Sequence, residues 1–300
     1  MVKLNEEFLK KITLKKTKDD FFDVLGGITG IDVLLFLAFP AFISLVMLLP
    51  LAIRESLTLK IYAYSSWQLI THAFVHNDLS HLWNNLKGYF IFGFILLIFA
   101  NRAGEKKNLF LLFLFTLFSL PIISSMIEIL IYPMLMPLIK TSQGSSALLS
   151  AMVGFFPAFW IYHFSTRQKN NLLNVNFFVL AFSYVAFLFS MVYYAAHKNA
   201  VFIMLVLAGV ICSGFRCRKN LKLLLKGIVS ASSGNVFFHC LTILMPTLFM
   251  IAPLLLFPFK IVQDNSIVDF FMHYIGLIYG MSISFIFLKW KFSDRDDNNA

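Results

Sequence analysis

Residues 141–164 read TSQGSSALLSAMVGFFPAFWIYHF, in which a cluster of small polar residues opens directly into a long apolar run. From residue 145 onward the run is about as long as the 20 residues that an α-helix needs to cross a bilayer. It contains no charged residue, and its apolar side chains do not alternate with polar ones as they would in a barrel strand. The stretch therefore predicts a membrane-spanning helix with a serine-rich beginning.

The rest of the chain has the same apolar character. Of its 300 residues, 59% are hydrophobic and 13% are charged, whereas about a quarter of the residues in soluble domains are charged. We therefore predict an all-α, polytopic membrane helix bundle. Eight runs are candidate spans: 33–53, 82–100, 109–131, 145–164, 172–196, 200–215, 236–259 and 268–288. The sixth run is short and could instead be re-entrant.

The basic residues predict the orientation of these spans. With the N-terminus inside, 19 of the 25 Lys and Arg residues fall on inner segments, as the positive-inside rule expects. We therefore expect a cytoplasmic arm (residues 1–31), a transmembrane domain (residues 32–290) and a cytoplasmic tail (residues 291–300), with the plasma membrane as location. Because this bias accounts for the net charge of +10, nucleic acid is not an expected partner.

The three cysteines, Cys212, Cys217 and Cys240, lie within or beside apolar runs and show no paired CxxC spacing. We interpret them as packing residues and expect neither a disulfide nor a metal site.

Polar residues lie at the predicted outer end of the second span. The segment that leads into this span, residues 67–86, reads WQLITHAFVHNDLSHLWNNL and contains His76, His81 and Asn85. His81 and Asn85 are four residues apart, so they share one face of a helix. Polar groups inside a membrane are costly and usually functional, and we therefore take this face as part of a candidate site.

The fourth and eighth spans carry complementary small residues. In the eighth, His273, Gly276 and Gly280 lie on one helical face, and the two glycines form a GxxxG pair that lets another helix approach closely. The fourth span offers its own small stripe: Ala147, Ser150, Ala151 and Gly154. We therefore predict that these spans pack backbone to backbone and bring Ser146 beside His273. A serine hydroxyl beside a histidine base is the minimal unit of nucleophilic catalysis.

Taken together, these segments resemble the rhomboid family of intramembrane serine proteases. The family's W-R, HxxxN, GxSG and HxxGxxxG elements correspond here to Trp67-Gln68, His81–Asn85, Gly144–Ala147 and His273–Gly280. Gln68 replaces the usual Arg, and Ala147 replaces the second Gly of GxSG. The resemblance implies a six-helix core, to which this chain adds two spans between the serine and the histidine, as an extra helical hairpin.

The resemblance also implies an activity, that of a serine endopeptidase that cuts the transmembrane helices of protein substrates near the outer face. Ser146 would be the nucleophile and His273 the general base, without a metal or cofactor. His81 and Asn85, with the Ser146 N–H, would stabilise the oxyanion. Four further residues would shape the site: His76, Gly144, Gly276 and Gly280.

Other interpretations accompany this one. Thr141, Ser142 and Ser145 are interpreted as caps of the fourth span, and His72 as a loop residue. A catalytically inactive rhomboid-like pseudoprotease, which binds membrane clients without cutting them, is the main alternative function. A small-molecule transporter would instead predict inverted repeats and polar groups near the midplane, and the sequence shows neither.

Overall fold

The computed structural model describes residues 23, 25–135, 139–168, 172–197, 200–231, 236–256, 262–263, 266–267 and 270–297. Most of these residues are helical. The helices are α1 (Gly30–Met47), α2 (Leu51–Leu57), α3 (Gln68–Thr71), α4 (Leu79–Arg102), α5 (Lys106–Leu135), α6 (Ser146–Gln168), α7 (Val175–His197), α8 (Ala200–Ala231), α9 (Val236–Leu256) and α10 (Phe270–Asp297). A 3₁₀ turn covers His72–Phe74, and four two-residue strands are β1 (Leu59–Lys60), β2 (Thr141–Ser142), β3 (Val262–Gln263) and β4 (Ser266–Ile267). β1 pairs with β2 and β3 with β4, each antiparallel.

Five helices in the described part of the chain, α1, α4, α5, α6 and α10, are long and apolar enough to cross a membrane. Helices α7 and α9 contain shorter apolar stretches, Val175–Ser190 and Phe237–Ile251. The protein is therefore an all-helical bundle of multi-pass membrane character, as the composition predicts. The predicted number of eight spans is not reached by these criteria within the described residues.

Several predicted boundaries were wrong. The first run, 33–53, is divided between α1, which ends at Met47, and α2, which follows Pro50. The sixth run, 200–215, does not end at Phe215, because α8 continues through a basic segment to Ala231. Likewise α10 extends to Asp297, into the predicted tail. In each of the last two cases charge ends the apolar run without ending the helix, since Lys and Arg are good helix formers.

Helix α6 lies at the centre of the bundle and α1 at its edge. In the most apolar window of α6, 83% of the residues are buried, compared with 28% for α1. Helix α10 lies against α6 in a close backbone-to-backbone contact. A β-carbon on Gly276 or Gly280 would collide with the carbonyl oxygen of Ala147 or Ala151, respectively. The predicted backbone-to-backbone contact between the fourth and eighth spans is therefore confirmed.

Helices α7 and α8 form a pair with a looser contact. A β-carbon on Gly209 would lie 3.9 Å from Ser183 Oγ, and one on Gly214 would lie 3.9 Å from a methyl carbon of Leu180. Both are ordinary van der Waals distances. The glycines of this pair are therefore not required by the approach of its helices.

Prolines inside the helices leave carbonyl oxygens without their helical donor, and at two of them an aromatic side chain of a neighbouring helix supplies one. Pro40 has no N–H for the carbonyl of Phe36, and the Tyr89 hydroxyl donates to that oxygen at 2.8 Å. Pro246 similarly leaves the carbonyl of Thr242 free, and the Trp160 indole N–H donates to it at 2.8 Å. These bonds connect α1 with α4 and α9 with α6 inside the apolar part of the bundle.

A buried carboxylate connects three helices at the end of α6 that is far from Ser146. Glu105, at the start of α5, is fully buried. Its carboxylate accepts a hydrogen bond from the Tyr162 hydroxyl at 3.0 Å and pairs with the Lys291 ammonium at 2.9 Å. A buried carboxylate is tolerated only with such partners, so Glu105 holds α5, α6 and α10 together at this end.

Candidate functional site

The N-terminal ends of α4, α6 and α10 meet at one end of the bundle. Gly144, just before α6, has φ +122°, a conformation that favours glycine. A β-carbon there would lie 2.8 Å from the Cε1 atom of His81, in the first turn of α4. One turn along α6 from Gly144, the carbonyl of Ala147 contacts Gly276 of α10. The segment that enters α6 therefore lies between α4, which carries His81 and Asn85, and α10, which carries His273.

Ser146 and His273 occupy neighbouring turns of this contact. Ser146 is the first residue of α6 and is partly buried, and it directly precedes Ala147. His273 lies one turn before Gly276 and is 9% exposed. Hydrogen bonding within α6 begins with the Leu149 N–H, which donates to the Ser145 carbonyl at 3.0 Å. The N–H of Ser146 therefore has no acceptor within its own helix.

His76 connects the loop before α4 to the start of α6. Its Nε2 atom lies 3.1 Å from the Ser145 hydroxyl oxygen and 3.0 Å from the side-chain nitrogen of Asn85. All three side chains are buried. With Nε2 unprotonated, the Asn85 amide and the Ser145 hydroxyl can both donate towards it. In this structure Asn85 therefore supports His76, in addition to any role towards a substrate.

Burial lowers the pKa of His76 to about 4, and the neighbouring His81 adds to this shift. Burial also lowers the pKa of His72 to about 4, although a bond to the Gln68 carbonyl partly opposes it. Both rings are consequently neutral at pH 7. A neutral His76 is consistent with Nε2 acting as an acceptor.

His72 was wrongly predicted to be an ordinary loop residue. It is 4% exposed, and its Nδ1 atom lies 2.9 Å from the Gln68 carbonyl oxygen and 3.3 Å from the Ser125 hydroxyl of α5. The Ser125 hydroxyl also donates to the Leu69 carbonyl at 3.1 Å. The carbonyl of His72 in turn accepts from the Gly144 N–H at 3.0 Å. His72 therefore links the first loop, α5 and the segment that enters α6.

Gln68, which departs from the family pattern, has a structural role of its own. It is 3% exposed, and its amide nitrogen donates to the Ser56 carbonyl at 3.0 Å. Its side-chain oxygen accepts from the N–H of Ser65 at 3.1 Å. Gln68 thus fixes the path of the loop between α2 and α3, which a neutral amide can do with both its donor and its acceptor.

The cap interpretation of the polar cluster before α6 was wrong for two residues and incomplete for the third. Thr141 and Ser142 form β2, paired with Lys60 and Leu59 of β1. Ser145 does occupy the position before the helix, but its hydroxyl is directed to His76.

The next residue along the cluster, Gln143, also joins the loop before α6 to the segment between α2 and α4. It accepts from the Thr58 hydroxyl at 2.7 Å and donates to the Asn77 side chain. Because these bonds connect residues far apart in the chain, no local pattern in the sequence indicates them.

The chemistry that this arrangement allows is acid–base and nucleophilic. It holds hydroxyls, neutral imidazoles and an open helix N-terminus within a largely buried enclosure. Among the described residues, no group of three or more His, Cys, Asp or Glu side chains is placed to hold a metal ion.

Comparison of the chain with protein-family models, curated proteins and solved structures finds no match.

Proposed function

We propose that the protein is an intramembrane serine endopeptidase of the rhomboid type, with Ser146 as nucleophile and His273 as general base. The observation that supports this proposal is the contact of Gly276 and Gly280 with the Ala147 and Ala151 carbonyls. It brings the predicted base helix against the predicted nucleophile helix near the N-terminal end of each.

In the proposed mechanism, a neutral His273 takes the proton of the Ser146 hydroxyl as the oxygen attacks a substrate carbonyl. The oxyanion that develops is stabilised by the open N–H of Ser146 and by the side chains of His81 and Asn85. Substrates are transmembrane helices of other proteins, cut near the outer face of the plasma membrane. Both termini of the chain are cytoplasmic in this proposal.

Six helices would form the core, with α7 and α8 as the additional hairpin. These two helices contact each other extensively, and α7 also packs on α10, where the ring centroids of Phe189 and Tyr274 lie 4.7 Å apart. Helix α9 packs instead on α4 and on α6, the central helix. Phe238 of α9 lies with its ring centroid 5.4 Å from that of Phe99 on α4, and Thr242 accepts from Trp160 of α6. Helix α9 is therefore the better candidate for the core helix between the nucleophile and the base.

The test is cleavage of a reference transmembrane substrate by the full chain reconstituted in liposomes, together with labelling by a fluorophosphonate. We expect Ser146→Ala and His273→Ala each to lower the cleavage rate by at least about a thousandfold. His81→Ala and Asn85→Ala should each lower it by about a hundredfold, the usual cost of one oxyanion donor. Thermal unfolding in detergent identifies variants that fail to fold.

Ser145→Ala is the matched control, since Ser145 is an adjacent buried serine within hydrogen-bond distance of another histidine. It should keep fluorophosphonate labelling. Labelling that is lost in Ser145→Ala and kept in Ser146→Ala would instead assign the nucleophile to Ser145 and the base to His76. A wild-type chain that binds transmembrane clients but neither cuts them nor reacts with the probe would be the pseudoprotease.

A further inference from the structure

The second half of α8 is a basic helix that continues beyond the apolar run. It carries five exposed cations, Arg216, Arg218, Lys219, Lys222 and Lys226. No Asp or Glu occurs in the chain between residues 129 and 263, so neighbouring segments of the sequence supply no counter-charge. None of the three ion pairs found among the described residues involves these side chains. The charges are therefore available to an external anion.

Three of the five cations lie on the side of α8 that faces away from the bundle. Cys217 is fully buried and Leu224 is 3% exposed, so they mark the inner side. Lys219, Lys222 and Lys226 follow one another at i, i+3 and i+7 and lie on the opposite side of the helix. They form a single exposed line of three ammonium groups about 10 Å long.

Phe215 continues this line on the apolar side. It lies one turn before Lys219 and is 66% exposed. The guanidinium carbon of Arg218 lies 4.3 Å from the centroid of its ring. The face formed by Phe215, Lys219, Lys222 and Lys226, here called the basic face, thus presents an aromatic ring followed by three cations.

A contact between α8 and α6 fixes the level of the basic face along the bundle. The Gln168 side chain, at the last residue of α6, donates to the Leu223 carbonyl at 3.2 Å. The 23 residues of α6 span about 34 Å, close to the hydrocarbon thickness of a bilayer of about 30 Å. Lys222 is therefore level with the membrane boundary that lies far from Ser146. Lys219 lies just inside this level and Lys226 just outside it.

We propose that the basic face binds the headgroup phosphates of anionic phospholipids. A phospholipid at this boundary would place its acyl chains beside Phe215 and its phosphate among the three ammonium groups. Each lysine close to an anionic surface adds about fivefold to affinity, and the line of three makes this end of α8 selective for acidic over zwitterionic lipid. This binding is independent of the proteolytic function.

The experiment uses the full chain in detergent, with native mass spectrometry to count bound phosphatidylglycerol and phosphatidylcholine over a lipid titration. The test variant is Lys219→Gln, Lys222→Gln and Lys226→Gln combined. The matched control is Lys60→Gln, Lys87→Gln and Lys140→Gln combined, which removes three exposed lysines near the other end of the bundle. A second arm adds millimolar inorganic phosphate to the wild type as a competitor.

We expect the test variant to bind phosphatidylglycerol about a hundredfold more weakly, with phosphatidylcholine binding unchanged. The control variant should stay within a few-fold of the wild type, and inorganic phosphate should not displace the lipid. Equal affinity of the test variant and the wild type would overturn the proposal, as would an equal loss in the control variant. Displacement by inorganic phosphate would assign the face to a free phosphate instead of a lipid.

Discussion

The α6–α10 contact and the α7–α8 contact join apolar helices in one bundle, but they tolerate change very differently. In the first, Gly276 and Gly280 lie against backbone carbonyls, which cannot move without moving a helix. In the second, a β-carbon added to Gly209 or Gly214 would meet a side-chain atom at 3.9 Å. Helix association in a membrane depends on close packing, so the first contact fixes the position of its helices and the second permits adjustment. The contact that carries the proposed catalytic residues is the rigid one.

The strongest test of this difference is to replace one glycine in each contact with the same larger residue. Gly280→Val should destabilise the bundle by about 3 kcal/mol or more, because neither the Ala151 carbonyl nor the backbone of α10 can yield. Gly214→Val should cost well under half as much, since the Leu180 side chain can move. Chemical or thermal unfolding in detergent compares the two variants. Equal losses would mean that the rigid contact is not the determinant of stability.

Lowering the pH should loosen the site end of the bundle before the α7–α8 pair. The pKa values of His72 and His76 are about 4, below the 6.5 of an unfolded histidine. Between pH 6.5 and 4 the unfolded chain binds more protons than the folded chain, so stability falls as the pH falls through this window. Above pH 6.5 the contribution is constant. The loss reaches up to about 3 kcal/mol for each histidine.

Hydrogen exchange at pH 7 and at pH 5 measures where this loss occurs. After correction for the intrinsic exchange rate at each pH, protection should fall in residues 65–85 and at the start of α6. Residues 175–196 and 200–231 contain no histidine and should keep their protection. His72→Gln should reduce the pH dependence of unfolding. A uniform loss of corrected protection over the whole chain would contradict the assignment to these two rings.

The smallest effect is expected for Tyr89→Phe, which removes only the bond from the hydroxyl to the Phe36 carbonyl. A hydrogen bond between membrane helices is worth about 1 kcal/mol, so the unfolding free energy should fall by about that amount. Phe113→Leu is a matched control, because the Phe113 ring packs on Tyr89 at 6.0 Å without a hydrogen bond. Combining Tyr89→Phe with Pro40→Ala should restore part of the loss, since the substitution at position 40 supplies the N–H that proline lacks.

The sequence predicts the α6–α10 contact well, because small residues at helical spacing are a local signal. Gly276, Gly280 and the stripe from Ala147 to Gly154 are all assignable without a structure. Helical character of the apolar runs is equally local. Helix ends are less predictable. Helix α8 continues through its basic segment to Ala231, because charged side chains favour water over lipid but leave the backbone hydrogen bonds of the helix intact.

The hydrogen-bond network around the site is much harder to predict than the α6–α10 contact, since its bonds join segments far apart in the chain. His76 meets Ser145 across 69 residues, and His72 meets Ser125 across 53. Such pairs produce no periodic pattern in the sequence. The sequence alone therefore suggests a loop residue at His72 and a simple cap at Ser145. The buried polar residue types were the available signal: three histidines within ten residues of a membrane helix start indicate a network even when its partners are unknown.

The bond between Tyr89 and the carbonyl freed by Pro40 also bears on how the bundle assembles. A newly inserted α1 would expose the Phe36 oxygen to lipid, where an unsatisfied backbone group costs several kcal/mol. Docking of α4 removes this penalty, and the same holds for α9 with Trp160 of α6. Helices α1 and α9 are thus incomplete until their neighbours pack against them, so the order of pairing during biogenesis is biased by the backbone itself as well as by side-chain shape.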